Sequence, residues 1–389
     1  VITPADEAGV AEAVRAAHAA REPLAIEGRG TKRAMLRPVQ AARTLSTRAL
    51  TGITLYRPTE LVISARAGTP IPEIEAALAE HNQQLIAEPP DLRALFGTGE
   101  PATLGGVVGA NLSGPRRITW GAMRDHVLGI RAVNGAGEVF RSGGRVLKNV
   151  TGLDLCKLLT GAHGTLGVLT EITLKVLPRG ESSGSLVLRV ADVAAGVRAL
   201  SAALGTPYGV SGAALLPDGH GALQGCLAIA RIEDFAESVT YRLDRLRTEL
   251  AAQGEAALLG REASEALWRD IRDAAPLHAA PEEAVWRLSL PPSRAPAACA
   301  ELRAAFGAKL LLDWGGGLVW VAGPATEAAH GAVMQAAAGG SFTLFRGPDA
   351  LRAAVPVLPA EPLPLAAIGA RVKAVLDPAG ILNPGRLRA

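Results

Sequence analysis

Residues 97–121, GTGEPATLGGVVGANLSGPRRITWG, contain seven glycines alongside residues that belong in a core, Leu104, Val107, Val108 and Leu112. A flexible linker is polar, and a buried strand does not carry so many glycines. Glycine allows positive φ and lacks the Cβ that would hold a ligand away from the backbone. Gly105-Gly106, following Thr103-Leu104, therefore reads as main chain pressed against a flat or anionic ligand. The plainer alternative is a glycine-rich turn between packed elements.

Two further turns have the same texture. A short strand over residues 24–26 runs into Gly28-Arg29-Gly30-Thr31-Lys32-Arg33. Successive N–H groups in such a turn can form a concave nest for phosphate oxygens, and the three basic side chains add positive charge. The turn is not a Rossmann fingerprint, because Arg33 stands where the third glycine is needed. A nucleotide P-loop is excluded as well, since the chain has no Gly-Lys dipeptide. The other turn, with Gly161, Gly164 and Gly167, joins a helix over 153–159 to an alternating strand that ends near Val176.

Around these turns the pattern is mixed. Helical spacing marks residues 6–21, 71–81 and 365–376; strands are expected over 51–55, 60–67 and 84–90, and a hairpin over 125–141 turns at Gly135-Ala136-Gly137. Residues 178–184 resemble a hinge. Beyond them, strands at 186–190, 227–232, 285–290 and 318–322 alternate with alanine-rich helices, the mark of a second α+β domain. The division expected is 1–178, 179–345 and a C-terminal segment 346–389.

The 389 residues suffice for two or three cores. A net charge of +3, without a basic stripe interleaved with aromatics, gives no reason to expect nucleic acid. Three cysteines with no CxxC pair argue against an iron–sulfur cluster in this chain. With neither a long apolar run nor a leader-like start at Val1, a cytoplasmic location is the expectation.

Four segments occur in order: a strand entering GRGTK, then TLGGVVGANLSG with Trp120-Gly121, then GAHGTLGVLTEITLKVLP, and finally DPAGILNPGRL. As an ordered set they resemble the PCMH-type FAD-binding domain of the vanillyl-alcohol-oxidase flavoproteins. The variants VLKNVTGLDLCKLLTGAHGTLGVLTE, VWRLSLPP, LDWGGG and LFRG are most similar to the FAD-binding E subunits of bacterial glycolate oxidase. The resemblance implies an α+β fold: a two-subdomain FAD-binding domain, a smaller α+β cap, and a tail that returns to the FAD domain.

It also implies residue roles. Gly28, Arg29, Gly30, Thr31 and Lys32, with Thr103, Leu104, Gly105 and Gly106, would hold the FAD pyrophosphate. Asn111, Ser113, Gly114, Gly164, Thr165, Gly167, Val168 and Leu169 would line the flavin and the rest of the dinucleotide, with Pro90 and Gly121 also in contact. Asn383 and Arg386 would bring the tail to the site. The first turn carries Thr31 and Lys32 where some relatives attach FAD to a histidine, so non-covalent FAD is expected.

One departure bears on function. Relatives that oxidise 2-hydroxy acids unaided carry clustered histidines and an acid for a metal. Here only His220, His278 and His330 follow residue 180, each isolated in sequence, so no metal is expected and surface or capping roles suit them. His126 and His163 lie beside the FAD segments and suit packing. A substrate carboxylate needs a bidentate arginine, for which Arg287 and Arg346 are the candidates, a structural salt bridge being the plainer reading of each. Trp286, Trp314 and Trp320 read as lids over the flavin or as core aromatics.

The expected function is that of a FAD-binding subunit in a glycolate oxidase complex that converts glycolate to glyoxylate. A catalytic FAD subunit and an iron–sulfur subunit would be its partners, and any attachment to the inner membrane would run through them. Two alternatives stay open: a self-sufficient 2-hydroxy-acid dehydrogenase, which needs a base and a carboxylate clamp, and a scaffold without FAD.

Overall fold

Helix Glu7–Ala20 begins where the Asp6 carboxylate accepts the Gly9 N–H, and it buries Val10, Ala11, Val14 and Ala17 along one stripe. That stripe packs on strand Leu24–Glu27, which pairs in parallel with Arg43–Ser46. The computed structural model describes residues 1–144 and 153–388. The Val146–Gly152 part of the VLKNVTG segment therefore lies outside the described residues.

A five-stranded antiparallel sheet follows, in the order Ile53–Arg57, Val62–Arg66, Val168–Lys175, Val127–Val133, Val139–Gly143. Its central strand, Val168–Lys175, is buried at nearly every position, and helices Ile71–Ala79 and Leu104–Gly109 supply apolar cover. The glycine-rich stretch that opens the sequence argument is thus partly helical. Thr103 caps its first turn by accepting the Gly106 N–H, and Leu104, Val107 and Val108 enter the core.

The strand expected over 84–90 does not form. Only Gln83–Gln84 pairs, with Leu177–Pro178. The chain then turns through Glu88 at φ 47°, ahead of two prolines that have no N–H to give a ladder. The helix expected from 153 is shorter, Leu155–Leu159.

From Ser182 to Arg346 the chain builds an eight-stranded antiparallel sheet, ordered Glu255–Leu259, Ser182–Val190, Cys226–Asp234, Val210–Leu216, Lys309–Asp313, Leu318–Gly323, Ala284–Ser289, Ser341–Arg346. Five longer helices are interspersed along it. Trp286, fully buried, meets Phe306 and His330 of two of them, so Arg287, the next residue along the strand, faces away from those helices.

Helix Leu363–Leu376 leads into a return to the start of the chain. Asp377, buried, accepts the N–H groups of Ile381 and Leu382. The tail then lies parallel to strand Leu24–Glu27, with Leu24 N–H donating to Ile381 and Asn383 N–H to Leu24. No helix among the described residues is long and apolar enough to cross a membrane.

Candidate functional site

The GRGTK turn, the small-residue face of helix Leu104–Gly109, the turn before strand Val168–Lys175 and the returning tail enclose a cavity of about 490 Å³. That is within the range of small-molecule and cofactor sites. Of the residues expected at a cofactor, Gly28, Arg29, Gly30, Thr31, Lys32, Thr103, Gly105, Gly106, Gly164, Gly167, Val168, Leu169, Asn383 and Arg386 line it.

Backbone hydrogen bonds separate two kinds of wall. The N–H groups of Leu104, Gly105 and Gly106 are engaged by Thr69, Ala67 and the Thr103 hydroxyl. The Thr103–Gly106 segment is therefore not the donor set the sequence suggested. It is a close wall without side chains: a Cβ on Gly106 would come within 3.2 Å of Lys32 Nζ. Among the described residues no acceptor pairs with the N–H groups of Arg29, Gly30, Thr31 or Lys32. Gly30, at φ 71°, is what lets that turn curl.

The tail holds this turn in place. Arg386 donates to the carbonyls of Lys32 at 2.8 Å and Arg37 at 3.0 Å. Asn383 accepts the Ile26 N–H at 2.7 Å and donates to the His163 carbonyl at 2.7 Å, joining the first strand to the third glycine turn. Replacing Asn383 with alanine leaves both of these groups without a partner and is expected to lower stability by about 2–3 kcal/mol. Equilibrium denaturation measures this, and an unchanged midpoint would show that the joint carries no weight.

The electrostatics of the cavity are one-sided. Lys32 has no acid partner among the described residues, and burial, with Arg386 nearby, pushes its ammonium down to about 8. Burial and the same neighbour Arg386 push His163 down to about 3, so its imidazole is neutral at ordinary pH. Burial also lowers Arg386 to about 10. Arg29 and Arg33, by contrast, are paired with Glu100 and Glu27. Buried cations without counter-ions mark a place where an anion is missing from the balance.

Several expected residues do not reach the cavity. Leu104 is in the core, and Pro90 is buried apart from the cavity lining. Asn111 accepts the Arg124 N–H, Ser113 accepts that of Met123, and Thr165 donates to Ala162. Gly121 closes the short helix Arg117–Trp120, and Gly114 accepts the Trp314 indole N–H at 3.1 Å. His163, Glu27, Asp349 and Arg352 do line the cavity. Arg352 and Asp349 had no signal of their own in the sequence, because tertiary folding brings them there.

The two candidate carboxylate clamps differ. Arg346 gives its guanidinium to the carbonyls of Leu95, Ala280 and Glu283, which ties the edge strand Ser341–Arg346 to the short helix Arg93–Phe96. Arg287 has neither an ion pair nor a hydrogen bond among the described residues. Histidines isolated in sequence prove to be paired in space: the His220 and His278 rings lie 5.5 Å apart, and His220 Nε2 is 3.0 Å from Asp270. His330 is buried and accepts the Trp286 indole N–H.

Comparison with known proteins places this geometry. Residues 1–143 match the family described as FAD binding domain, and residues 364–387 match the FAD linked oxidases, C-terminal domain. The chain is 37% identical to the glycolate oxidase subunit GlcE of Escherichia coli (strain K12), over 97% of this chain and 96% of that protein. It is 35% identical to the glycolate oxidase subunit GlcD of Bacillus subtilis (strain 168), over 26% of this chain and 21% of that one. Among solved structures, the 4-ethylphenol oxidase from Gulosibacter chungangensis superposes with a TM-score of 0.73 at 12% identity, covering 100% of this chain and 88% of that one. An alkyldihydroxyacetonephosphate synthase reaches 0.72 at 17% identity, covering 98% and 76%, so the fold is that of the FAD-linked oxidases. The chain belongs to the GlcE family of glycolate oxidase subunits, within the FAD-linked oxidoreductases.

Proposed function

We propose that this chain holds FAD non-covalently and serves as the FAD-binding subunit of a glycolate oxidase complex. The observation that carries the reading is the GRGTK turn. At the wall of the cavity four consecutive N–H groups, of Arg29 to Lys32, have no acceptor, and the Lys32 ammonium no acid partner, among the described residues. A diphosphate is a chemical match for that set, and main-chain donors bind one without a permanently buried charge pair. In this reading Arg386 and Asn383 hold the turn and the His163 loop in register, while Gly106 and Gly109 leave room for a flat group against the helix. The cofactor supplies two-electron redox chemistry once bound. The chain's own residues bind it, orient it and exclude water.

The names of the two relatives, both glycolate oxidase subunits, support an assembly with a GlcD-type subunit. We assign an iron–sulfur subunit as the further partner. Attachment at the inner membrane, in this reading of a cytoplasmic protein, runs through those partners.

The test is to load the purified chain with FAD, remove excess, and precipitate the protein with acid. The expected result is one flavin per chain, released into the supernatant. Flavin that stays with the pellet would show a covalent link, and a chain that retains no flavin at all would leave the scaffold reading standing.

A further inference from the structure

Arg287 lies among three aromatic rings on the face of the eight-stranded sheet away from the helices that pack on Trp286. Its guanidinium carbon is 4.7 Å from the centre of the Trp320 ring and 5.4 Å from those of Trp314 and Phe345. Rings shield a cation from water and attract it, but they accept no conventional hydrogen bond from the guanidinium edge. Among the described residues that edge has no acceptor, and its buried Nε is unsatisfied. An arginine with five donors and no acceptor is incomplete.

Register places an acid nearby. Arg287 is opposite Trp320, and Trp320 is opposite Leu311, so Asp313, two residues further along, is on the same face two strands away. Asp313 is 3% exposed. One carboxylate oxygen accepts the Trp314 N–H at 2.7 Å, and the other has no donor among the described residues. Burial pushes this carboxyl up to about 7, with Glu88 adding to the rise while Arg231 and Arg287 oppose it. Trp314 ties the cluster to the segment that follows helix Leu104–Gly109, its indole N–H donating to the Gly114 carbonyl at 3.1 Å. The Arg117 guanidinium lies 4.3 Å from the centre of the Trp314 ring.

We propose that this cluster is a site for a small 2-hydroxy carboxylate, in which Arg287 takes the carboxylate and Asp313 accepts the proton of the hydroxyl. A planar carboxylate suits the fork of a single arginine between flat walls. The step balances with the flavin as oxidant, and in that respect it rests on the function proposed above. The O–H bond breaks toward Asp313, the α-hydrogen leaves as hydride to the flavin, and the carbon–oxygen double bond of a 2-oxo acid forms. The chain would then hold both the base and the clamp that its sequence did not display.

The probe is oxalate, which cannot be oxidised this way, titrated calorimetrically into the chain as purified and again after FAD loading. FAD content is measured separately, so failure to hold flavin and failure to bind the carboxylate are distinct results. Saturable oxalate binding is expected, weakening as pH rises through about 7 because ionised Asp313 repels the ligand. Arg287→Met is expected to weaken binding roughly 10- to 100-fold with FAD content unchanged, because charged hydrogen bonds are lost. Arg287→Lys, which keeps the charge without the fork, should fall between. Asp313→Asn should bind oxalate with a flat pH profile, yet leave the flavin oxidised when glycolate is added without oxygen. If neither form of the parent chain binds oxalate, or if Arg287→Met binds it as well as the parent does, the proposal is overturned and Arg287 is a packing residue of the cap.

Discussion

Arg231→Met is expected to lower the stability of the chain by about 3–5 kcal/mol at neutral pH, the usual cost of leaving buried carboxylates without their cation. Arg231 is 3% exposed in its side chain and pairs with Glu88 at 2.8 Å and Glu233 at 3.2 Å, over the Trp268 ring. Arg116 reaches the same two acids, Glu233 at 2.6 Å. Arg231 and Glu233 are on strand Cys226–Asp234 of the eight-stranded sheet and Glu88 and Arg116 precede that sheet in the chain, so this network fastens the two together. Burial opposes the charge on both acids, but Arg231 and Arg116 outweigh it, holding Glu88 below its ordinary range and Glu233 down at about 2.

The sign follows from those shifts. Carboxylates whose folded values are depressed give stability that is present above about pH 4.3, the ordinary Glu value, and lost as pH falls through the folded value. The parent should therefore lose stability between about pH 4 and pH 2, while Arg231→Met should show a shallower dependence there. Denaturant titrations at about pH 7, pH 4 and pH 2.5 measure both. Replacing Glu88 alone with glutamine in the same chain should recover much of the loss, because Arg116 and Glu233, 2.6 Å apart, then balance each other. A loss under about 1 kcal/mol at pH 7 would mean that water reaches the cluster and screens it.

None of this network could be read from the sequence. Glu88, Arg116, Arg231 and Glu233 have no periodicity or motif in common, and pairs separated by more than a hundred residues are decided by topology. The legible parts were those with local causes. Asp6 before an apolar stripe gives the first helix, and the alternation after Gly167 gives the central strand of the five-stranded sheet. The GRGTK turn, weak evidence when taken alone, stood out only as the first of four segments in order, and it lines the cavity. What the sequence hid at the same site was which N–H groups are free. Gly105 and Gly106 looked like donors, but the Ala67 carbonyl engages the first and the Thr103 hydroxyl the second. Arg287 and Arg346 looked alike, and only the carbonyls that surround one of them tell the two apart.

Lys32→Met is expected to move two quantities in opposite directions, which separates a binding role from a structural one. In the chain without FAD, Lys32 is a buried cation whose pKa burial has lowered to about 8, against about 10.4 for an ordinary lysine. Between those values the unfolded chain binds more protons than the folded one, so stability rises with pH across that window. Below pH 8 the charged form is held at a cost, and methionine removes it. The FAD-free variant should therefore be the more stable of the two at pH 7. FAD affinity should change the other way, weakening roughly 10- to 100-fold, because a charge-assisted contact to a phosphate oxygen is gone. The parent should also bind FAD less tightly as pH rises above about 8, since Lys32 must then take up a proton to meet the diphosphate, and the variant should lack that slope. Quenching of flavin fluorescence from pH 7 to pH 9.5, with thermal melts of both FAD-free chains, measures the whole set. If affinity and stability fell together, Lys32 would be a packing residue, and the anion would have to be held by the N–H groups of the turn alone.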